Sequence, residues 1–152
     1  MNGREDKKAN DLFFTCSLIA YIARRTQNTP ADVVTALGES AIRKIYELAD
    51  VYHCDNIDRV SDDFIAERHI TPGHFDNVAA CHYSVPTHWD IGKVYKRLIL
   101  MAAKDTGADC IDTLMEVYRS RTSTLIEDYN SSFYYDNPQT IFATYQNGGI
   151  PE

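Results

Sequence analysis

The sequence has no CxxC pair, no glycine-rich phosphate loop and no segment with sustained alternation of apolar and polar residues. Its cysteines are scattered singly, at Cys16, Cys54, Cys81 and Cys110. This spacing favours a reduced cytosolic protein over a disulfide framework. Without alternation there is no signal for strands, and without a strand and a phosphate loop the usual scaffold of nucleotide chemistry is missing.

The sequence also lacks a basic stripe. It carries 15 Lys and Arg against 22 Asp and Glu, which gives a formal net charge of -7. The basic residues are dispersed, and short runs such as Lys93, Lys96 and Arg97 are typical of a solvated helix face. Nucleic acid is therefore not an expected partner, because phosphate-backbone affinity depends on clustered Lys and Arg.

No apolar run is long enough to span a bilayer. The longest, residues 12–23, is interrupted by Thr15, Ser17 and Tyr21 and is followed by Arg24 and Arg25. It also lacks a convincing signal-peptide cleavage site. We expect an amphipathic first helix in a cytoplasmic protein, with no membrane partner.

The sequence is rich in apolar and aromatic residues. Hydrophobic residues make up 44% of the 152 residues, enough for one domain or two small units that share a core. Such a chain is expected to fold without a metal or cofactor. Ten Tyr, six Phe and one Trp exceed what a small helical core needs, which favours a binding role for some of the rings.

The apolar pattern repeats at three and four residues in two cassettes, 11–67 and 90–146. In the first, Pro30 begins a short helix that Gly38 ends, a longer helix closes near His53, and Asn56 caps another that fades near His69. The pattern predicts an N-terminal helical module over 1–70.

The periodicity vanishes over 71–89, which predicts a linker that packs along the surface. A second helical module is expected over 90–152, beginning at Asp90 as an N-cap and interrupted at Gly107. Its apolar pattern continues through 125–133, and Asn137 with Pro138 caps a last helix. The predicted fold is all-α, a compact bundle of about six to eight short helices.

Two sequence neighbours combine a sulfur and an imidazole ligand, His53 with Cys54 and Cys81 with His82. Adjacent helical residues point about 100° apart, so neither pair makes a natural chelate and no metal is expected. An alternative remains open in the linker, where Cys81 with His82 or His88 suggests a small enzyme or metal-binding site.

The strongest candidate for a contact surface is the run Phe133, Tyr134 and Tyr135. Three consecutive large rings cannot all face one helical core, so at least one should be exposed or packed against something else. Trp89, beside Asp90, has the same ambiguity. The candidate partner-binding residues are His53, Trp89, Tyr95, Phe133, Tyr134 and Tyr135, and no catalytic residue is assigned.

Two parts of the chain resemble known bacterial proteins. The helical order that runs through 41–51 to Tyr52-His53 and Asp62-Asp63-Phe64-Ile65 is similar to a small helical domain of unknown function encoded beside ADP-ribosyltransferase-like toxins. The second half, through Pro86 to Tyr95, Arg97-Leu98-Ile99 and Asn130 to Tyr135, looks like a companion module from the same gene neighbourhoods.

This resemblance implies an antitoxin-like or immunity-like protein. Such a protein would bind and restrain a partner enzyme, for example an ADP-ribosyltransferase-like toxin encoded nearby, and would not itself be an enzyme. A structural homodimer, in which exposed rings bury one another, is a further alternative.

Overall fold

The computed structural model describes residues 3–150, with side chains from residue 6 onward. The outermost residues of the two predicted modules, 1–2 and 151–152, lie outside this range. Within residues 3–150 the chain forms nine α-helices and a 3-10 turn, η1, and contains no strand. The all-α prediction is therefore confirmed. The elements are α1 Gly3–Thr26, α2 Pro30–Glu47, α3 Ala49–His53, α4 Ile57–Glu67, α5 Asn77–Ala80, α6 His88–Thr106, α7 Cys110–Arg119, α8 Arg121–Ile126, η1 Phe133–Tyr135 and α9 Pro138–Gln146.

The fold is organised around the contact between α1 and α6, the most extensive between any two elements. Gly92 of α6 lies directly against Ser17 of α1, and a Cβ at Gly92 would come within 2.0 Å of the Ser17 hydroxyl oxygen. The missing side chain lets the two backbones approach closely, as small residues do where helices pack tightly.

One hydrophobic core runs through both sequence cassettes. Val33 and Ile45 from the first belong to the same buried cluster as Leu114 and Ile141 from the second. The proposed module boundaries remain a prediction about the chain, but the two halves bury their apolar faces against each other. Of the helices within residues 3–150, none is both long enough and apolar enough to cross a membrane.

One helix boundary is as predicted and one differs. Gly38 ends the first helical segment of α2, as predicted, and a kink there, at φ 78° and ψ 163°, leads into the second segment; glycine adopts this conformation without a steric penalty. The N-cap of α6 is Thr87, not Asp90. Thr87 accepts the backbone N–H of Asp90, and the Asp90 carboxylate accepts that of Thr87, so Asp90 completes a capping box from the third helical position.

The apolar pattern over 125–133 is only partly helical, because α8 ends at Ile126. The side chain of Asp128 accepts the backbone N–H of Asn130 at 3.1 Å, and the Ser131 hydroxyl donates to the carbonyl of Asp128. Such local bonds offer the backbone an alternative to the helix. Tyr129 and Phe133 consequently lie beyond α8.

The segment between the cassettes packs against the end of α1. The backbone N–H groups of Gly73 and Phe75 donate to the carbonyls of Thr26 and Gln27, each at 2.8 Å. Asn77, at the start of α5, donates to the carbonyl of Glu127. These bonds position α5 beside the turn that follows α8.

Candidate functional site

The six residues predicted to bind a partner lie in three separate places: the core, the junction of α1 with α3 and α6, and η1. The structure brings His53 and Trp89 together, and it brings Phe133, Tyr134 and Tyr135 together. It does not join these two groups into one surface.

Tyr95 is a core residue. Its side chain is 0% exposed and stacks on Tyr118 with the ring centroids 4.1 Å apart. The prediction that Tyr95 contacts a partner is therefore wrong, since no part of the ring reaches the surface. Ile91 and Leu98 share its buried face of α6, and helical spacing alone places Tyr95 with them.

His53 and Trp89 belong to an aromatic cluster between α1, α3 and the start of α6. The His53 ring lies edge-on to Trp89 at 6.2 Å and to Phe14 at 5.7 Å, and Phe13 lies 5.6 Å from Trp89. Phe14 is buried, and Trp89 is half-buried against the core. Trp89 therefore packs at the junction of the helices, whereas His53 is exposed beside it and stays a predicted partner-binding residue.

The alternative site in the linker does not assemble around a sulfur and an imidazole. The Cys81 thiol lies near carbonyl oxygens, 3.4 Å from that of Tyr83 and 3.9 Å from that of Tyr129. His88 instead packs against Tyr21 and Trp89. Burial, reinforced by the nearby Arg24 guanidinium, lowers the pKa of His88. Across residues 6–150, no three His, Cys, Asp or Glu side chains group together so as to hold a metal ion.

The 3-10 turn η1 separates the three consecutive rings. Phe133 and Tyr134 pack against the edge of the core, whereas Tyr135 is 69% exposed. The expectation that at least one ring faces outward is confirmed. Tyr134 lies edge-on to Tyr129 at 5.8 Å and to Tyr135 at 5.0 Å, so a buried ring and a half-buried ring support the exposed one.

Beside η1 lies a cleft of about 400 Å³, which we name the aromatic cleft. Tyr134 and Tyr135 of η1 line it, together with Val94 and Leu98 of α6. Val85, at the end of the linker, also lines it and is 39% exposed. Apolar surface of this kind beside an exposed ring is typical of a contact site. The residues that line the cleft are Ser84, Val85, Pro86, Asp90, Lys93, Val94, Arg97, Leu98, Tyr134, Tyr135, Asp136, Pro138 and Ile141.

Two cations border this cleft, Lys93 and Arg97, one helical turn apart on α6. Neither forms an ion pair with any residue between 6 and 150. The carboxylate of Asp90, also in the cleft, is already engaged by the backbone of Thr87. Burial and the neighbouring charges of Arg97 and Lys93 lower the pKa of Lys96. The cleft thus contains two cations, Lys93 and Arg97, and two carboxylates, Asp90 and Asp136, beside exposed aromatic surface.

The sequence alone did not combine these features. It showed the three rings and the cations as separate runs about 40 residues apart, and dispersed cations usually form a solvated face. Their shared position follows from α6 packing beside η1, which is a tertiary contact.

Comparison with known proteins found no relative of this chain. No family model, curated protein or solved structure matches the chain.

Proposed function

We propose that this protein is a non-enzymatic binding protein and that its aromatic cleft docks a partner protein. The main observation behind the proposal is that the ring of Tyr135 is 69% exposed where it lines the cleft and packs edge-on against Tyr134. Exposed, well-supported tyrosines are frequent anchors in protein interfaces, because a rigid ring buries much area at little entropic cost.

The charges around the cleft indicate the chemistry of the partner. Lys93 and Arg97 have no ion-pair partner among the described side chains, so an acidic group on the partner could approach both. Val85, which is exposed, and Val94, which is half-buried, add apolar surface to the cleft. The expected ligand is a protein segment that inserts an apolar side chain and places a carboxylate beside α6.

The sequence resemblance supports a particular kind of partner. It implies an antitoxin-like or immunity-like role, in which the chain binds and restrains an enzyme, such as an ADP-ribosyltransferase-like toxin encoded nearby. The acidic surface elsewhere on the chain would steer a basic partner during encounter. Within this proposal the protein acts in the cytoplasm and has no catalytic group of its own.

The test begins with co-purification of the tagged chain from its native cells, followed by size-exclusion chromatography of any complex. A stoichiometric complex with an enzyme is expected, together with loss of that enzyme's activity. The variant Tyr135→Ala should weaken binding by about 1 to 2 kcal/mol, the usual effect of removing an aromatic anchor. Val51→Ala is the matched control, because Val51 is also exposed, at 61%, but lies on α3 away from the cleft.

Two results would contradict the proposal. Equal affinity of wild type and Tyr135→Ala for the recovered enzyme would remove the cleft from the interface. A complex that contains only copies of this chain, with a mass that rises with concentration, would instead establish a homodimer.

A further inference from the structure

A second cleft, on the side of the molecule formed by α5 and α8, is not used by the proposed function. It has a volume of about 480 Å³, within the range of about 300 to 1,000 Å³ found for ligand pockets. Its apolar lining includes Pro30, Phe75 and the rings of Tyr118 and Tyr129. We name it the Glu127 cleft, after the acidic residue that lines it.

Glu127 is a buried carboxylate, only 6% exposed. The hydroxyl of Tyr95 donates to its Oε2 at 2.8 Å. The hydroxyl of Tyr129 and the amide of Asn77 donate to its Oε1, each at 3.1 Å. All three neighbours donate a hydrogen bond to Glu127. These contacts fit the ionised carboxylate, which only accepts hydrogen bonds.

The hydrogen bonds that Tyr95 and Tyr129 accept are compatible with their donating to Glu127. The Tyr95 phenol has one proton and gives it to Glu127, so the Ser123 hydroxyl at 2.7 Å is the donor to Tyr95. Arg24 donates to the oxygen of Tyr129 at 3.0 Å, which leaves the Tyr129 proton for Glu127. The network thus places a negative group at a fixed position.

The carboxylate retains capacity for one more donor. An ionised carboxylate accepts about four hydrogen bonds, and the protein supplies one to Oε2 and two to Oε1. Asp76 and Asp128 also line the cleft, which brings its carboxylates to three. The basic groups that line it are the guanidinium of Arg119 and the imidazole of His74. An ammonium group is the donor that best complements this excess of carboxylates.

We propose that the Glu127 cleft binds a small organic amine, with its ammonium group on Glu127 and an aromatic body against Phe75, Pro30 and Tyr129. The site is separate from the aromatic cleft and does not depend on the proposed partner. The apolar walls favour an aromatic body because a ring can bury most of its surface there.

The probe is 2-phenylethylamine, titrated into the full chain and followed by amide chemical shifts and calorimetry. Binding should perturb the residues that line the Glu127 cleft. Its neutral and anionic counterparts, 2-phenylethanol and 3-phenylpropionate, should bind at least about tenfold more weakly, a difference of about 1.4 kcal/mol. Equal binding of all three probes would overturn the proposal.

Two kinds of variant test the location. Glu127→Gln removes the charge with little change of shape and should weaken binding of 2-phenylethylamine by at least about tenfold. Ala80→Trp should block the cleft, since Ala80 is exposed and lines it. Ala79→Trp is its matched control, because Ala79 is exposed on the same helix but does not line the cleft. This pair remains informative if Glu127→Gln fails to fold.

Binding that Ala80→Trp and Ala79→Trp affect equally would overturn the assignment, as would shift changes confined to residues outside the cleft. Nα-acetyl-lysine amide, which keeps its ε-ammonium group, serves as a second cationic probe. Tighter binding of this probe than of 2-phenylethylamine would show that the cleft accepts a lysine side chain instead of a small aromatic amine.

Discussion

At Glu127, burial and hydrogen bonding act on the pKa of the carboxyl in opposite directions. Burial raises the pKa of its carboxyl, and the bonds from Tyr95, Tyr129 and Asn77 partly offset this effect. The net direction is upward. The residue therefore weakens the fold when ionised, while its partners depend on it for their own hydrogen bonds.

Replacing Tyr95 by Phe removes the donor to Glu127 without removing the ring that stacks on Tyr118. We expect Tyr95→Phe to lower the free energy of unfolding by about 2 kcal/mol, the usual value for a hydrogen bond to a charged group. Urea denaturation measures this. Tyr135→Phe, at an exposed ring, should change stability by less than about 0.5 kcal/mol, and equal effects of the two variants would refute the role of the network.

The raised pKa of Glu127 also predicts a pH dependence. The carboxyl has an ordinary pKa of 4.5, and the folded protein holds its proton to a higher pH than the unfolded chain does. Its contribution to stability is fully present below pH 4.5 and is lost as the pH rises through the folded pKa. The unfolding free energy of wild type minus that of Glu127→Gln should therefore fall as the pH rises from 4.5 through the folded pKa of Glu127. A difference that stays flat or rises with pH would contradict the raised pKa.

At the residue scale the sequence predicted one aromatic placement and missed another. The sequence could predict that at least one of Phe133, Tyr134 and Tyr135 faces outward, because three adjacent rings cannot share one face, but it did not predict that this ring is Tyr135. Tyr95 could have been placed in the core from its spacing with Ile91 and Leu98. Glu127 gave no such signal, because Ser120, Ser123 and Thr124, at helical spacing before it, are polar. Two of its partners, Asn77 and Tyr95, come from distant elements that the sequence does not connect.

Helix α6 lines the aromatic cleft and supplies Tyr95, which donates to Glu127, and its contact with α1 depends on Gly92. Alanine would normally stabilise a helix interior relative to glycine by about 1 kcal/mol. Here the added Cβ would lie 2.0 Å from the Ser17 hydroxyl oxygen and 2.8 Å from the Ser17 Cα. Backbone atoms cannot move aside as a flexible side chain does, so the two helices must separate.

We therefore expect Gly92→Ala to destabilise the protein by about 2 kcal/mol, within the range for overpacked cores. Thermal or urea denaturation measures this, with Lys104→Ala as a control at an exposed position of the same helix. A gain in stability on Gly92→Ala would mean that helix propensity outweighs the contact with Ser17.

The elements themselves were largely predictable because their caps are local. Asn56, Asn137 and Gly107 each occupy the cap position that the sequence predicts. The error in the start of α6 arose because the sequence offers two cap residues there: Thr87, the observed N-cap, lies three residues before Asp90, the predicted one. The packing of α6 against α1 and η1 could not be predicted, because apolar periodicity identifies a buried face but not its neighbour.

On the scale of the whole molecule, one core joins both cassettes, so the chain should unfold in a single transition. Trp89 is the one tryptophan and packs against Phe13 of α1. Its fluorescence and the helical circular dichroism should consequently give coincident denaturation curves. Two separated transitions would show that the cassettes are independently stable.

The central claim is that the aromatic cleft is a docking surface for a partner protein. The most direct test replaces Tyr135 by the photo-crosslinker p-benzoylphenylalanine in the native cells, with the same replacement at Val51 as the control. Both positions are exposed, at 69% and 61%, so general accessibility is matched. The account predicts a crosslink to one other protein from position 135 and none from position 51. Crosslinks only to a second copy of this chain, or equal crosslinks from both positions, would contradict it.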